Sequence, residues 1–189
     1  MTKLFLIFSL LALTIASNGQ PAAGNNNENW TEIYRGTSPR INDLVHTKLD
    51  VKFDYGKSYL YGRAWITLKP HFYATDSLYL DAKGMDITKV AVANGSALTA
   101  LKYTYDGMGL YIKLDKKYTA NDKYTVYIDY TSKPNELKVK GSEAIKDAKG
   151  LYFINPKGED KDKPTQIWTQ GETEANSVWF PTIDKPNQR

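Results

Sequence analysis

From Leu44 onward the chain alternates. In "LVHTKLDVKFDY" the side chains of Val45, Thr47, Leu49, Val51 and Phe53 fall on one face of an extended chain, and His46, Lys48, Asp50, Lys52 and Asp54 fall on the other. A period of two held over about ten residues is the signature of a half-buried antiparallel strand. "YGKS" makes a turn, and "LYGRAWITLK" alternates again, with Leu60, Gly62, Ala64, Ile66 and Leu68 set against Tyr61, Arg63, Trp65, Thr67 and Lys69. "SLYLDA" groups Leu78, Leu80 and Ala82, and "ITKVAVAN" is a short β-branched run. "LKYTYDGMGLYIKL" reads as a hairpin turning on Asp106-Gly107, and "DKYTVYIDYTS" places Tyr124, Val126, Ile128 and Tyr130 together before Pro134 ends it. About six or seven strands at this spacing predict an antiparallel sandwich or saddle-shaped sheet. No stretch has helical periodicity, and no repeat of fixed length is visible. The segment 135–165, with Lys-rich turns and "EDKDKP", reads as an exposed loop.

Composition adds limits. Charged residues are 24% and hydrophobic ones 41%, as in ordinary soluble domains, and 14 tyrosines strengthen the β reading. The net charge of +4 is spread along the chain without a basic run, which argues against a nucleic-acid partner. The absence of cysteine excludes disulfides, thiolate catalysis and Cys-based metal sites. His46 and His71 stand in no ligand spacing, and each reads as an ordinary strand residue.

The first residues differ from the rest. "MTKLFLIFSLLALTIASNGQ" has a basic start, an apolar run from Leu4 to Ala16 and a small-residue exit. The run is short for a bilayer span and has the layout of a secretory signal peptide cleaved after Gly19. Export to the periplasm, the cell surface or the medium follows, with no membrane span after cleavage. The chain then divides into a signal peptide (1–19), a flexible Asn-rich leader (20–40), a β domain (41–167) and an end motif (168–189).

That end motif, "WTQGETEANSVWFPTIDKPNQR", concentrates unusual residues. In an extended strand Gln170 and Glu172 point to the same side. A carboxylate beside an amide carbonyl is a receptor for a protonated amine, since both accept its hydrogen bonds. The pair reads equally as a solvated strand face. Exposed aromatics such as Tyr61, Trp65 and Tyr79 offer a different reading, a stand-alone secreted β-sandwich that binds a glycan or a protein partner, or a shed adaptor. Asn29-Trp30-Thr31 and Asn94-Gly95-Ser96 match the glycosylation acceptor pattern, which is common by chance.

The spacing of Thr169, Gln170, Glu172, Phe180, Pro181, Asp184 and Pro186 resembles the segment that closes the N-terminal domain of the aminopeptidase N family of zinc metallopeptidases. The pattern there is Thr-Gln-x-Glu, a later Phe-Pro, then Asp-x-Pro. The strand run from Asp43 to Pro70 supports the resemblance, which covers roughly 40–189. Two departures are Thr182, where a Cys is usual, and Ala175-Asn176-Ser177, where Asp-Ala-Arg is frequent. The resemblance implies a saddle-like β-structure packed on a thermolysin-like catalytic domain. It implies that Glu172 anchors the free α-amino group of a peptide substrate and that Gln170 helps line the first side-chain pocket. Zinc would belong to the complete enzyme, on a His-Glu-x-x-His motif and a further Glu. This chain has neither that motif nor the Gly-x-Met-Glu-Asn loop. No catalytic residue, metal ligand or cofactor is expected within it, and alone it is expected to be inactive, its partner being the missing catalytic domain.

Overall fold

In the computed structural model, residues 36–138 and 148–188 are described. The segments read as a signal peptide (1–19) and, up to residue 35, as a leader lie outside them. The described residues form ten strands in order: β1 (Asn42–Asp54), β2 (Tyr59–Pro70), β3 (Thr75–Asp81), β4 (Met85–Asn94), β5 (Ala97–Ala100), β6 (Lys102–Tyr105), β7 (Gly109–Tyr118), β8 (Tyr124–Ser132), β9 (Leu151–Ile154) and β10 (Gln166–Thr169). The helical content of the described residues is one 3-10 turn, Asn176–Val178. No helix among them is long and apolar enough to cross a membrane.

All pairings are antiparallel. One sheet runs β1-β2-β8-β4-β5, a second β3-β7-β6, and a third is the β9-β10 pair. The alternation read in the sequence explains how they stack. Leu60, Ala64, Ile66 and Leu68 of β2 and Val126, Ile128 and Tyr130 of β8 share a core with Leu78, Leu80, Leu110 and Ile112 from the second sheet. The sequence expectation of an all-β antiparallel sandwich holds.

Gly62 shows how tightly the core is built. It pairs with Tyr130, and a Cβ at position 62 would lie 2.3 Å from the tyrosine Cζ. The missing side chain makes room for the ring. The Tyr130 hydroxyl is buried without a hydrogen-bond partner among the described residues, and burial raises its pKa above the ordinary tyrosine range.

Three local expectations fail. Val45 was assigned to the inner face of β1, but the register slips between Leu44 and His46. Val45 is the extra residue of a β-bulge and is exposed, while Leu44 takes the inward place against the core. Phe53 keeps the expected face, opposite the buried Leu60, but lies at the end of β1, where it is partly exposed and meets the Phe153 ring edge-on with centroids 6.2 Å apart. The loop expected over 135–165 contains β9, with Leu151 and Phe153 buried. β5 was not anticipated either: Asn94 pairs with Ala97 across a tight turn with Gly95 at φ 62°, so the acceptor-like tripeptide Asn94-Gly95-Ser96 is the turn of a hairpin.

Candidate functional site

Gln170 and Glu172 follow β10 directly, but not in an extended strand. β10 ends at Thr169, and Glu172 opens a turn. This corrects the same-side strand geometry expected for the pair. The two residues are joined differently: the backbone N–H of Glu172 donates to the Gln170 side-chain carbonyl at 2.9 Å. Gln170 is itself tied down, its N–H donating to the Gly150 carbonyl at 2.9 Å. One lone pair of the Gln170 amide oxygen is therefore spent on fixing the backbone of Glu172. The Glu172 side chain is exposed, and no hydrogen bond or ion pair among the described residues engages its carboxylate.

The turn closes on itself through Glu174 and Ala175, whose N–H groups both donate to the Gly171 carbonyl, at 3.2 and 3.0 Å. Two glycines make its packing possible. Gly150 has φ 69°, and a Cβ there would lie 1.9 Å from the Ala175 carbonyl oxygen. A Cβ at Gly171 would lie 2.6 Å from the Asn176 amide. Beyond the turn, the chain is bound to the sandwich by polar contacts. Asp81, at the end of β3, exchanges backbone hydrogen bonds with Thr182 at 2.7 and 3.0 Å. The Asp81 carboxylate also accepts the Asp184 N–H at 3.0 Å, and the Asp184 carboxylate accepts the Ser177 N–H at 2.8 Å. Ser132 on β8 donates to the Val178 carbonyl at 2.8 Å, and Lys83 N–H to that of Ser177 at 2.7 Å. Asp81, Ser132, Ser177 and Asp184 are all buried. Buried polar groups that are fully paired in this way specify one geometry.

Electrostatics follow the same lines. The Glu174 carboxylate accepts from Lys185 Nζ at 2.7 Å, which holds the ammonium above its usual pKa, with Asp81 and Asp184 adding to the effect. Burial, and then the charge and hydrogen bond of Asp81, push the Tyr79 hydroxyl up to about 12.

The other sequence candidates do not assemble into a site. His46 is exposed on β1. His71 lies with Nδ1 2.8 Å from the Asp43 carboxylate, which also takes Arg40 at 2.8 Å. The aromatics separate: Tyr61 and Trp65 face outward on the five-stranded sheet, where Trp65 packs on Tyr127 at 5.1 Å with Lys48 over its ring. Tyr79 faces outward on the three-stranded sheet, 4.8 Å from Tyr111, lining with Tyr103 a cavity of about 660 Å³.

A family model, the peptidase M1 N-terminal domain, matches residues 38–189. The chain belongs to the peptidase M1 N-terminal domain family. Solved structures agree on the fold. The M1 zinc metallopeptidase from Deinococcus radiodurans is 15% identical with TM-score 0.62, over 82% of this chain and 32% of that one. A mutant of that enzyme has been solved with a Tyr-Ser-Ala substrate, at the same identity, TM-score and coverage. Leukotriene A4 hydrolase from Saccharomyces cerevisiae is 20% identical with TM-score 0.57, over 78% of this chain and 22% of that one. The chain thus spans about a third or less of the solved relatives' length. No curated protein matches it.

Within this M1 N-terminal domain the residues described do not fit a zinc ion. Among them no group of three or more His, Cys, Asp or Glu side chains is placed so that it could hold a metal ion. Several residues that shape the turn escaped sequence reasoning. Lys83, Gly150 and Ser132 contact the motif from positions distant in sequence; Ser132 continues the inward alternation of β8, but no periodicity marks Lys83 or Gly150. The one available signal was Gly150, a glycine in front of an apolar run.

Proposed function

We propose that this chain is the N-terminal domain of an exported zinc metallo-aminopeptidase, and that Glu172 anchors the free α-amino group of the peptide substrate. One observation carries the reading: the Glu172 carboxylate is exposed and unengaged, on a turn whose backbone is held by Gln170 and Gly150. A residue whose backbone is held before the ligand arrives has only its side-chain rotamers left to order on binding. Glu172 receives the ammonium N–H groups and sets where the first peptide bond lies. Gln170 holds the backbone of Glu172 and keeps its amide N–H groups for the substrate's first residue. Zinc belongs to a catalytic domain outside this chain. The apolar run of residues 4–16 supports export through a signal peptide ending at Gly19, followed by the leader 20–40, the β domain 41–167 and the end motif 168–189.

A charge-assisted contact of this kind contributes about 1.5–3 kcal/mol. In the complete enzyme, Glu172→Ala is expected to lower kcat/KM for free-amine substrates by about 10- to 100-fold, while the neighbouring Thr173→Ala changes it less than about 3-fold. Equal activities of the two variants would sink the anchor role.

The cavity beside Tyr79, Tyr103 and Tyr111 favours a second reading, a secreted β-sandwich that stacks a glycan on those rings. It requires a glycan-dependent change in tyrosine fluorescence that Tyr111→Ala abolishes. It leaves the spacing of Gln170, Glu172, Phe180, Pro181 and Asp184 without a role.

A further inference from the structure

The turn that carries Glu172 is exposed from Glu172 to Thr173 and belongs to no strand or helix. Two of its backbone N–H groups donate to the Gly171 carbonyl, and the Glu172 N–H donates to the Gln170 side chain. A short exposed turn of this kind opens easily unless something outside it holds it. Gln170 and Gly150 hold its start, and Glu174 is where its far side is held. This residue has φ 113°, a region that side chains other than glycine rarely adopt and that persists only when neighbours impose it. Three groups do so. Lys83 Nζ donates to the Glu174 carbonyl at 2.6 Å, Ser177 Oγ donates to the same carbonyl at 3.2 Å, and Lys185 Nζ donates to the Glu174 carboxylate at 2.7 Å. The two ammonium groups come from opposite directions in sequence, one from the β3–β4 connection and one from beyond the Phe180-Pro181 pair.

Both lysines are fixed at their base. The backbone N–H of Lys83 donates to the Ser177 carbonyl at 2.7 Å. Lys185 follows Asp184, whose N–H is held by Asp81 at 3.0 Å and whose carboxylate holds Ser177. A connected path therefore runs from the end of β3, through Asp81, Asp184 and Lys185, to Glu174 and the turn.

We propose that Lys83 and Lys185, by clamping Glu174 at its carbonyl and its carboxylate, are positioning residues that set where the Glu172 carboxylate meets the substrate's α-amino group. The inference rests on the amine-anchor reading of Glu172. Lys185 and Glu174 are each about one third exposed, so their ion pair adds little to overall stability. Its effect lies in placement, since a shift of about 1 Å in a positioning group is enough to weaken productive binding.

The test uses the complete enzyme, alanine 4-nitroanilide as substrate, and the variants Lys185→Met, Lys83→Met, Glu174→Gln and Lys185→Arg. Lys185→Met and Glu174→Gln are expected to raise KM about 5- to 20-fold with kcat within about 2-fold, the pattern of lost ground-state and transition-state binding alike. Lys83→Met is expected to act in the same direction. Lys185→Arg, which keeps the charge, stays within about 3-fold of the parent. Added to Glu172→Ala, Lys185→Met produces no further rise, because it acts through the carboxylate already removed. An unchanged KM in Lys185→Met and Glu174→Gln, or a fully additive loss on top of Glu172→Ala, overturns the clamp. If Glu172→Ala leaves KM unchanged, the anchor itself fails, and the clamp with it. Should Lys185→Met not fold, Glu174→Gln and the double variant with Glu172→Ala carry the same decision.

Discussion

The sandwich and the segment from Gln170 to Gln188 are held by different balances of forces. In the sandwich, β2 and β8 send side chain after side chain into an apolar core, and many small contributions of the same kind add up. The end segment also lays apolar side chains on that core, with Val178 and Pro181 buried and Trp179, Phe180 and Ile183 packed against it, but its path is fixed by a few directed bonds involving buried Asp81, Asp184, Ser132 and Ser177. The first kind of region tolerates drift in any one contact. The second fixes a backbone in one place, which an anchoring carboxylate requires, and it is correspondingly sensitive to the loss of a single partner.

The comparison can be broken at either end. The largest effect is expected in the core: Ile66→Ala, at a fully buried position, should cost about 2–5 kcal/mol in urea denaturation. A cost below about 1 kcal/mol would mean that the two sheets are not packed as described. Asp184→Ala comes next. It strips the Ser177 N–H of its acceptor and should cost about 1.5–3 kcal/mol, with loss of protection from hydrogen exchange confined to the segment after β10 and the β3 end. Uniform loss of protection across the sandwich would show that the two regions are one cooperative unit rather than two differently held ones. The smallest effect is expected at Tyr130→Phe. Its hydroxyl has no partner among the described residues, so removing it should change stability by less than about 0.5 kcal/mol or raise it. A clear loss would reveal a hydrogen bond that the core geometry does not show.

The same division explains what the sequence made legible. Alternation placed β2, β7 and β8 and their inward residues correctly, because a buried sheet face writes a period of two into the chain. It misplaced Val45, because a bulge adds one residue and flips the face without a compositional mark. It passed over β9 and β10, each four residues long and too short for a period to register. The end motif stood out by residue type and spacing, so Gln170 and Glu172 could be singled out. Their geometry could not be read, because it is set by Gly150, Lys83 and Asp81, which lie between about 20 and 90 positions upstream and carry no local pattern.

The claim at the centre is that Glu172 is an amine receptor held ready by its turn. Calorimetric binding of alanine amide and of N-acetylalanine amide to the complete enzyme, before and after Glu172→Ala, addresses it most directly. The account predicts that the parent prefers the free amine by about 10-fold or more, and that Glu172→Ala erases the preference by weakening only the free-amine ligand. A preference that survives Glu172→Ala intact would contradict it.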